Sequence, residues 1–432
     1  TDVKVTVLAG ATTGTVSVPT TIDTIDESDE TFTIHNGAVS ATGTIIDNNT
    51  APTVTGITPS IATEGDAVVF DFELSNPSAV DVEYTFTLST GTAGSSDYTT
   101  TDVKVTVLAG ATTGTVSVPT TIDTIDESDE TFTIHNGAVS ATGTIIDNNT
   151  APTVTGITPS IATEGDAVVF DFELSNPSAV DVEYTFTLST GTAGSSDYTT
   201  TDVKVTVLAG ATTGTVSVPT TIDTIDESDE TFTIHNGAVS ATGTIIDNNT
   251  APTVTGITPS IATEGDAVVF DFELSNPSAV DVEYTFTLST GTAGSSDYTT
   301  TDVKVTVLAG ATTGTVSVPT TIDTIDESDE TFTIHNGAVS ATGTIIDNNT
   351  APTVTGITPS IATEGDAVVF DFELSNPSAV DVEYTFTLST GTAGSSDYTT
   401  ADVKVTVLAG ATTGTVSVPT TIDTIDESDE TF

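Results

Sequence analysis

VVFDFEL at residues 68–74 and VEYTFTL at residues 82–88 decide the fold. In the first, Val68, Phe70, Phe72 and Leu74 alternate with Asp71 and Glu73; in the second, Val82, Tyr84, Phe86 and Leu88 alternate with Glu83, Thr85 and Thr87. A period of two sends the two sets to opposite faces of an extended chain, so both stretches predict half-buried β-strands. Working outward, Val103, Val105 and Val107, then Val116 and Val118, then Phe132 and Ile134, then Ala141, Gly143 and Ile145 continue the pattern. Turn signals at 109–114 and at Asn136-Gly137 separate them. With a short opening strand near Val54–Ile57 the count is seven strands and no helix, which predicts an all-β fold: an antiparallel, immunoglobulin-like β-sandwich.

The pattern recurs every hundred residues. Blocks 1–100, 101–200, 201–300 and 301–400 are identical, and 401–432 differs from 1–32 only by Ala401 in place of Thr1. That period is too long for a solenoid coil and suits a domain with its own core, so the chain reads as a tandem array of sandwiches joined end to end. Asp147-Asn148-Asn149-Thr150-Ala151-Pro152-Thr153 has linker composition, and its Pro biases the preceding residue toward extended backbone. Placing the boundary at 150/151 gives complete repeats 51–150, 151–250 and 251–350. Residues 1–50 then hold the second half of a repeat, and 351–432 lack the last strand. Neither end closes a sandwich alone, so a neighbouring copy is expected to supply the missing strands, or the sequence is an excerpt of a longer chain.

The formal charge is −57, and each repeat carries fourteen Asp or Glu against one Lys (Lys104 in 51–150). Nucleic acid is excluded as a partner on charge. There is no Cys to form a disulfide, and no apolar stretch approaches the ~18 residues of a membrane span, so membrane insertion is not expected. Most of this acidity reads as solubility, but one segment does not. TIDESDETF, residues 124–132, sets Asp126, Glu127, Asp129 and Glu130 within five positions. If the strands run up and down between two ends, Glu64-Gly65-Asp66, Ser95–Tyr98, Asp123–Glu130 and Asp147–Asn149 all fall at one end. The loops 75–81 and 135–139 fall at the other. Carboxylates crowded within ~5 Å repel by a few kcal/mol at the dielectric of a protein surface. A hard cation reverses that sign. Ca²⁺ takes six to eight oxygens in flexible geometry, and the segment offers no Cys or His for Zn²⁺. No EF-hand loop is present. The competing reading is a solvated loop.

Glu64-Gly65-Asp66, then Gly94–Thr99 (GSSDYT), then Asp123 followed by Asp126–Phe132 (DESDETF), then Gly143–Asn148 (GTIIDN) resemble the Calx-beta pattern, in order and over the whole repeat. The resemblance implies a seven-stranded sandwich that binds Ca²⁺ at the end from which the last strand leaves. It implies as ligands Glu64, Asp97, Asp123, Glu127, Glu130 and Asp147, with Asp129 and Asn149 beside them. In the next repeat the same positions are Glu164, Asp197, Asp223, Glu227, Asp229, Glu230, Asp247 and Asn249. In the third they are Glu264, Asp297, Asp323, Glu327, Asp329, Glu330, Asp347 and Asn349. One departure stands out: the acidic run that the family carries after the last strand is Asp-Asn-Asn here, with less negative charge. Uniform, acidic, Cys-free arrays of this kind are similar to the extender regions of giant repeats-in-toxin adhesins of Gram-negative bacteria.

The expectation that follows is a mechanical spacer: a calcium-rigidified extender of a bacterial cell-surface adhesin, extracellular and exported by type I secretion. It would join neighbouring repeats through calcium-bridged linkers and project a distal ligand-binding region away from the cell. In this reading Asp47, Asp147, Asp247 and Asp347 bridge two domains, and Asn176 or Asp181 of the following repeat adds a ligand. The alternative is a polysaccharide- or protein-binding adhesin module. An enzyme is not expected, because the one His per repeat (His135) sits beside a turn and no nucleophile elbow or phosphate loop occurs.

Overall fold

The computed structural model describes residues 2–432. The chain divides into two compact units. The first comprises Thr1–Ala162, Asp166–Thr220 and Thr231–Thr244. The second comprises Thr163–Gly165, Thr221–Glu230 and Ile245–Phe432.

In the first unit a lone hairpin, β1 (Glu30–Asn36) and β2 (Val39–Ile45), precedes a complete repeat of eight strands: β3 (Val54–Ile57), β4 (Ser60–Thr63), β5 (Val68–Leu74), β6 (Val82–Thr90), β7 (Val103–Val107), β8 (Thr113–Val118), β9 (Glu130–Asn136) and β10 (Val139–Ile146). They form a three-stranded sheet in the order β3-β5-β8 and a five-stranded sheet in the order β4-β10-β9-β6-β7. The opening strand expected near Val54–Ile57 forms as β3, and β4 is an eighth strand beyond the seven expected, placed in the other sheet. Pro59 accounts for the break between them, since it cannot donate to a ladder. β4 pairs parallel with β10, Ser60 opposite Gly143 and Thr63 opposite Ile146. Every other strand pair in the repeat is antiparallel.

Alternation holds where it was read. Val68, Phe70, Phe72 and Leu74 are buried and the residues between them exposed. They pack between the sheets with Phe86, Val116, Val118, Phe132 and Ile134. Two glycines make this packing possible. Gly114, which reads as part of a turn, lies in β8 opposite Phe72, and Gly143 lies in β10 opposite Phe132. The rings lie over the glycines: a Cβ built on Gly114 would stand 2.4 Å from Phe72 Cζ, and one on Gly143 would stand 2.6 Å from Phe132 Cζ and 2.7 Å from Phe70 Cζ. None of the three rings can retreat, because all are buried. Gly143→Ala, introduced at each copy, is therefore expected to destabilise every complete repeat by about 1–3 kcal/mol, the usual range for overpacking, as read by calorimetric melting. The β9–β10 turn is the Asn-Gly signal expected: Gly137 has φ 59° at the first position of a two-residue loop, where only glycine is unstrained.

The second unit carries the same eight strands from Val254 to Ile346, with sheet orders identical to those of repeat 51–150. It ends in a reduced repeat, a three-stranded sheet of Val354–Ile357, Ala367–Leu374 and Thr413–Pro419 and a two-stranded sheet of Val382–Phe386 and Val403–Val407. The strand equivalent to β4 does not form there, as its ladder partner is a copy of β10. In the same way the described part of 1–29 forms no strand ahead of the hairpin. Its counterparts in repeat 51–150 pair with β5 and β6, strands that precede them in that repeat. No helix occurs among the described residues, so none is long and apolar enough to cross a membrane.

Candidate metal centre

The stacked rings of Tyr98 and Phe132, 4.3 Å apart and both buried, anchor two acidic segments of repeat 51–150. Asp97 immediately precedes the tyrosine, and Glu130 lies two residues before the phenylalanine. Their fixed rings hold Asp97, Glu127 and Glu130 so that one carboxylate oxygen from each lies within 4.8 Å of the others. Asp297, Glu327 and Glu330 do the same in the second unit. There the cleft is lined by Glu264, Asp297, Asp323, Glu327, Glu330 and Asp347, the six acidic positions singled out from sequence, together with Thr321, Ser328 and Ile345.

Backbone donors hold these carboxylates in place. In repeat 51–150 the Gly94 N–H donates to Asp97 Oδ2 at 2.5 Å and the Asp123 N–H donates to Glu64 Oε1 at 2.6 Å. The Ile125 N–H donates to Asp123 Oδ1 (2.7 Å) and the Glu127 N–H to Asp147 Oδ2 (3.0 Å). In repeat 151–250, Asp223 donates to Glu164 (2.5 Å), Glu227 to Asp247 (3.1 Å) and, within the first unit, Gly194 to Asp197 (2.5 Å). In repeat 251–350 the Asp323 N–H donates to Glu264, and Glu327 to Asp347 at 3.0 Å.

The residues named beside the six have other places. Asp129 Oδ1 accepts the Asp147 N–H at 3.3 Å, as Asp229 does from Asp247. Asp329 carries the same position in the third repeat. The Asn149 and Asn249 N–H groups donate to Asp147 Oδ1 and Asp247 Oδ1, both at 3.0 Å, and Asn349 spends its side-chain amide on the Ile325 carbonyl (2.9 Å). Asn176 and Asp181 are also engaged outside the cleft. Asn176 Nδ2 donates to the Thr150 carbonyl of the linker (2.9 Å), and Asp181 Oδ1 accepts the Ala209 N–H (2.8 Å). Asp47 accepts the Glu27 N–H at 3.0 Å, repeating the Asp147 arrangement ahead of the first complete repeat.

The electrostatics show what such crowding does without a counterion. Burial, a hydrogen bond to Asp97 and the charges of Asp97, Glu127 and Asp123 push Glu130 up to about 7, and Glu330 likewise. Burial first, then neighbouring charges, also raises Glu64 and Glu127. Asp97 goes the other way: burial would raise it, but hydrogen bonds from Gly94 N–H, Ser96 and Glu130 outweigh that and hold it below the usual range. A proton on Glu130 would bond to Asp97, in the place a cation could take. The repeat's one Lys cannot supply the charge, because Lys104 pairs with Glu83 at 2.7 Å on the exposed side of the β6–β7 ladder. An all-oxygen set from four segments of the chain, with no imidazole or thiolate in it, fits a hard divalent cation and suits Ca²⁺ better than Mg²⁺, which keeps its waters and demands an octahedron.

No match was found among curated proteins. Among solved structures the chain aligns with the crystal structure of calcium binding domain CBD12 of CALX1.1 at 14% identity, over 43% of this chain and 79% of that one, with TM-score 0.20. It aligns with the titin I-band fragment I67–I69 at 13% identity, over 69% and 99%, TM-score 0.23. It also aligns with a structure from a 1.5-MDa bacterial ice-binding adhesin at 14% identity, over 69% and 98%, TM-score 0.17. The Calx-beta domain matches four times in step with the repeat, at residues 47–158, 147–258, 247–358 and 347–432. Each complete span runs on into the opening strand of the following repeat. Matched from residue 47 to residue 432, the chain belongs to the Calx-beta domain family.

Proposed function

We propose that this chain is the calcium-binding extender region of a bacterial cell-surface adhesin, a stack of spacer domains that carries a distal binding region away from the cell. The observation that carries the proposal is the place of the cleft. Its six carboxylates lie where the chain leaves the sandwich for the next one, and Asp147 ties the two together. One Asp147 oxygen takes the Glu127 N–H of the acidic loop and the other takes the Asn149 N–H of the linker. Asn176 of the following repeat then holds the linker at Thr150. A cation in the cleft would neutralise the repulsion and fix Asp147, and through it the first linker residues. Extracellular calcium is abundant enough for weak sites of about 10⁻⁴–10⁻³ M, the range of extracellular modules. In the same proposal the chain works outside the cell, reaches it by type I secretion and has no catalytic role.

A sugar-reading module is the poorer reading. Every aromatic side chain of a complete repeat, Phe70, Phe72, Tyr84, Phe86, Tyr98 and Phe132, is buried and offers no stacking surface. His135, the one His, meets Ser89 Oγ at 2.8 Å as an ordinary cross-strand contact on the exposed sheet face.

Small-angle scattering of the whole chain tests the spacer. Calcium is expected to increase the maximum dimension and narrow the distance distribution relative to chelator, reversibly. Curves that superimpose in calcium and in EGTA would overturn it.

A further inference from the structure

Consecutive repeats also touch through a bridge that uses none of the cleft carboxylates. The Asp126 N–H donates to the Pro177 carbonyl at 3.0 Å, and the Ala179 N–H returns a bond to the Asp126 carbonyl at 2.9 Å. Asp126 and Ser178 are thereby joined as a one-residue parallel ladder. Asp26 meets Ser78 in the same way within the first unit, and Asp226 meets Ser278 and Asp326 meets Ser378 within the second.

Ser178 is the informative residue. It is 4% exposed, and it and its three copies are the buried polar or charged residues among those described. A buried hydroxyl is costly unless hydrogen-bonded. Its Oγ finds its acceptor in the preceding repeat, donating to Asp126 Oδ2 at 3.2 Å, while the Val180 N–H donates to it at 3.4 Å. The loop carrying Ser178 is fixed within its own sandwich, since the Ser178 carbonyl accepts the Gly210 N–H at 2.8 Å. A rigid polar notch therefore faces the preceding repeat and is satisfied by it. The notch also explains why one of the four crowded acids, Asp126, takes no part in the cleft.

We infer that Asp126 and Ser178, with their copies, form an ion-independent latch: the partner of each Pro177–Ala179 notch is the acidic loop of the preceding repeat, docked by direct hydrogen bonds whether or not a cation is bound. The geometry supports this because donors and acceptors pair completely without any bridging charge. The latch goes beyond the calcium spacer, and either can fail without the other.

Hydrogen exchange on the full chain, in EGTA and in calcium, tests it. The four joints are identical, so the peptides containing the Asp126 and Ala179 amides report them together. In EGTA both amides are expected to be protected. Ser→Ala at 78, 178, 278 and 378, or Asp→Ala at 26, 126, 226 and 326, should speed their exchange about tenfold, the worth of roughly one net hydrogen bond. Core amides such as Phe70 should be unchanged in both variants, which shows that the sandwiches stay folded. Exchange at free-peptide rates in EGTA would overturn the latch, and protection that appears only with calcium would overturn it while leaving the calcium reading intact. Variants indistinguishable from the parent would overturn it as well. A chain protected in EGTA that does not respond to calcium in any peptide would keep the latch and sink the calcium reading.

Discussion

Changing Glu127 and Glu130 to Gln, together with their copies in repeats 151–250 and 251–350, is expected to have two effects of opposite sign. In chelator the variant should melt at or above the parent temperature. Burial already disfavours both charges, and neighbouring carboxylates disfavour them further, so neutral amides of the same shape relieve a repulsion. In calcium the order should invert. A ligand at a hundredfold its dissociation constant stabilises the folded form by about 2.7 kcal/mol per site. For a domain of this size that is roughly 10–20 °C of melting temperature. The parent should gain that shift and the variant should lose most of it, since two of the three carboxylates that converge within 4.8 Å are gone. Differential scanning calorimetry in excess calcium and in chelator reads both effects. A solvated loop predicts neither. A variant that keeps the parent's calcium shift would remove Glu127 and Glu130 from the site.

The sandwich was legible because its signal is local. A period of two in VVFDFEL needs no knowledge of what the strand pairs with, and burial follows it residue by residue. What escaped is non-local. Ser60–Thr63 is four residues of weak pattern whose ladder partner begins at Gly143, and only that pairing makes it a strand. Gly114 looks like turn chemistry, and its reason for being glycine, the Phe72 ring, lies on another strand.

The same division runs through the site. Asp126–Glu130 announces itself by crowding, but Glu64, Asp97 and Asp147 join it only through topology, which had to be inferred from strands running up and down between two ends. Asn176 and Asp181 are good calcium ligands by type, and the structure shows what sequence could not: Asn176 donates to the Thr150 carbonyl and Asp181 accepts the Ala209 N–H. Ser178 carried no signal at all. Ser-Asn-Pro-Ser reads as an ordinary turn, and the burial that singles out its last residue exists only once the preceding repeat is in place.

Stripped of metal, the chain should lose stability as pH rises. Glu130 is held near 7 in the folded state against 4.5 for an ordinary glutamate, and Glu330 likewise. A group whose folded value lies above its unfolded one favours folding while it is protonated. That contribution is complete below about pH 4.5 and disappears as the pH passes through 7, where the folded state must release the proton shared with Asp97. Asp97, whose folded value is lowered, works in the opposite direction but only at more acidic pH, so it leaves the window from 5 to 8 to the glutamates. Denaturant midpoints of metal-free protein should therefore fall between pH 5 and pH 8. Calcium should reverse the slope, because binding requires the carboxylates ionised and expels the proton, about half of one per site at pH 7. Calorimetric titration in buffers of different ionisation enthalpy measures that proton directly. A metal-free midpoint that stays level or climbs from pH 5 to 8 would mean that Glu130 and Asp97 hold no proton between them, and that the cleft is not crowded enough to need a cation.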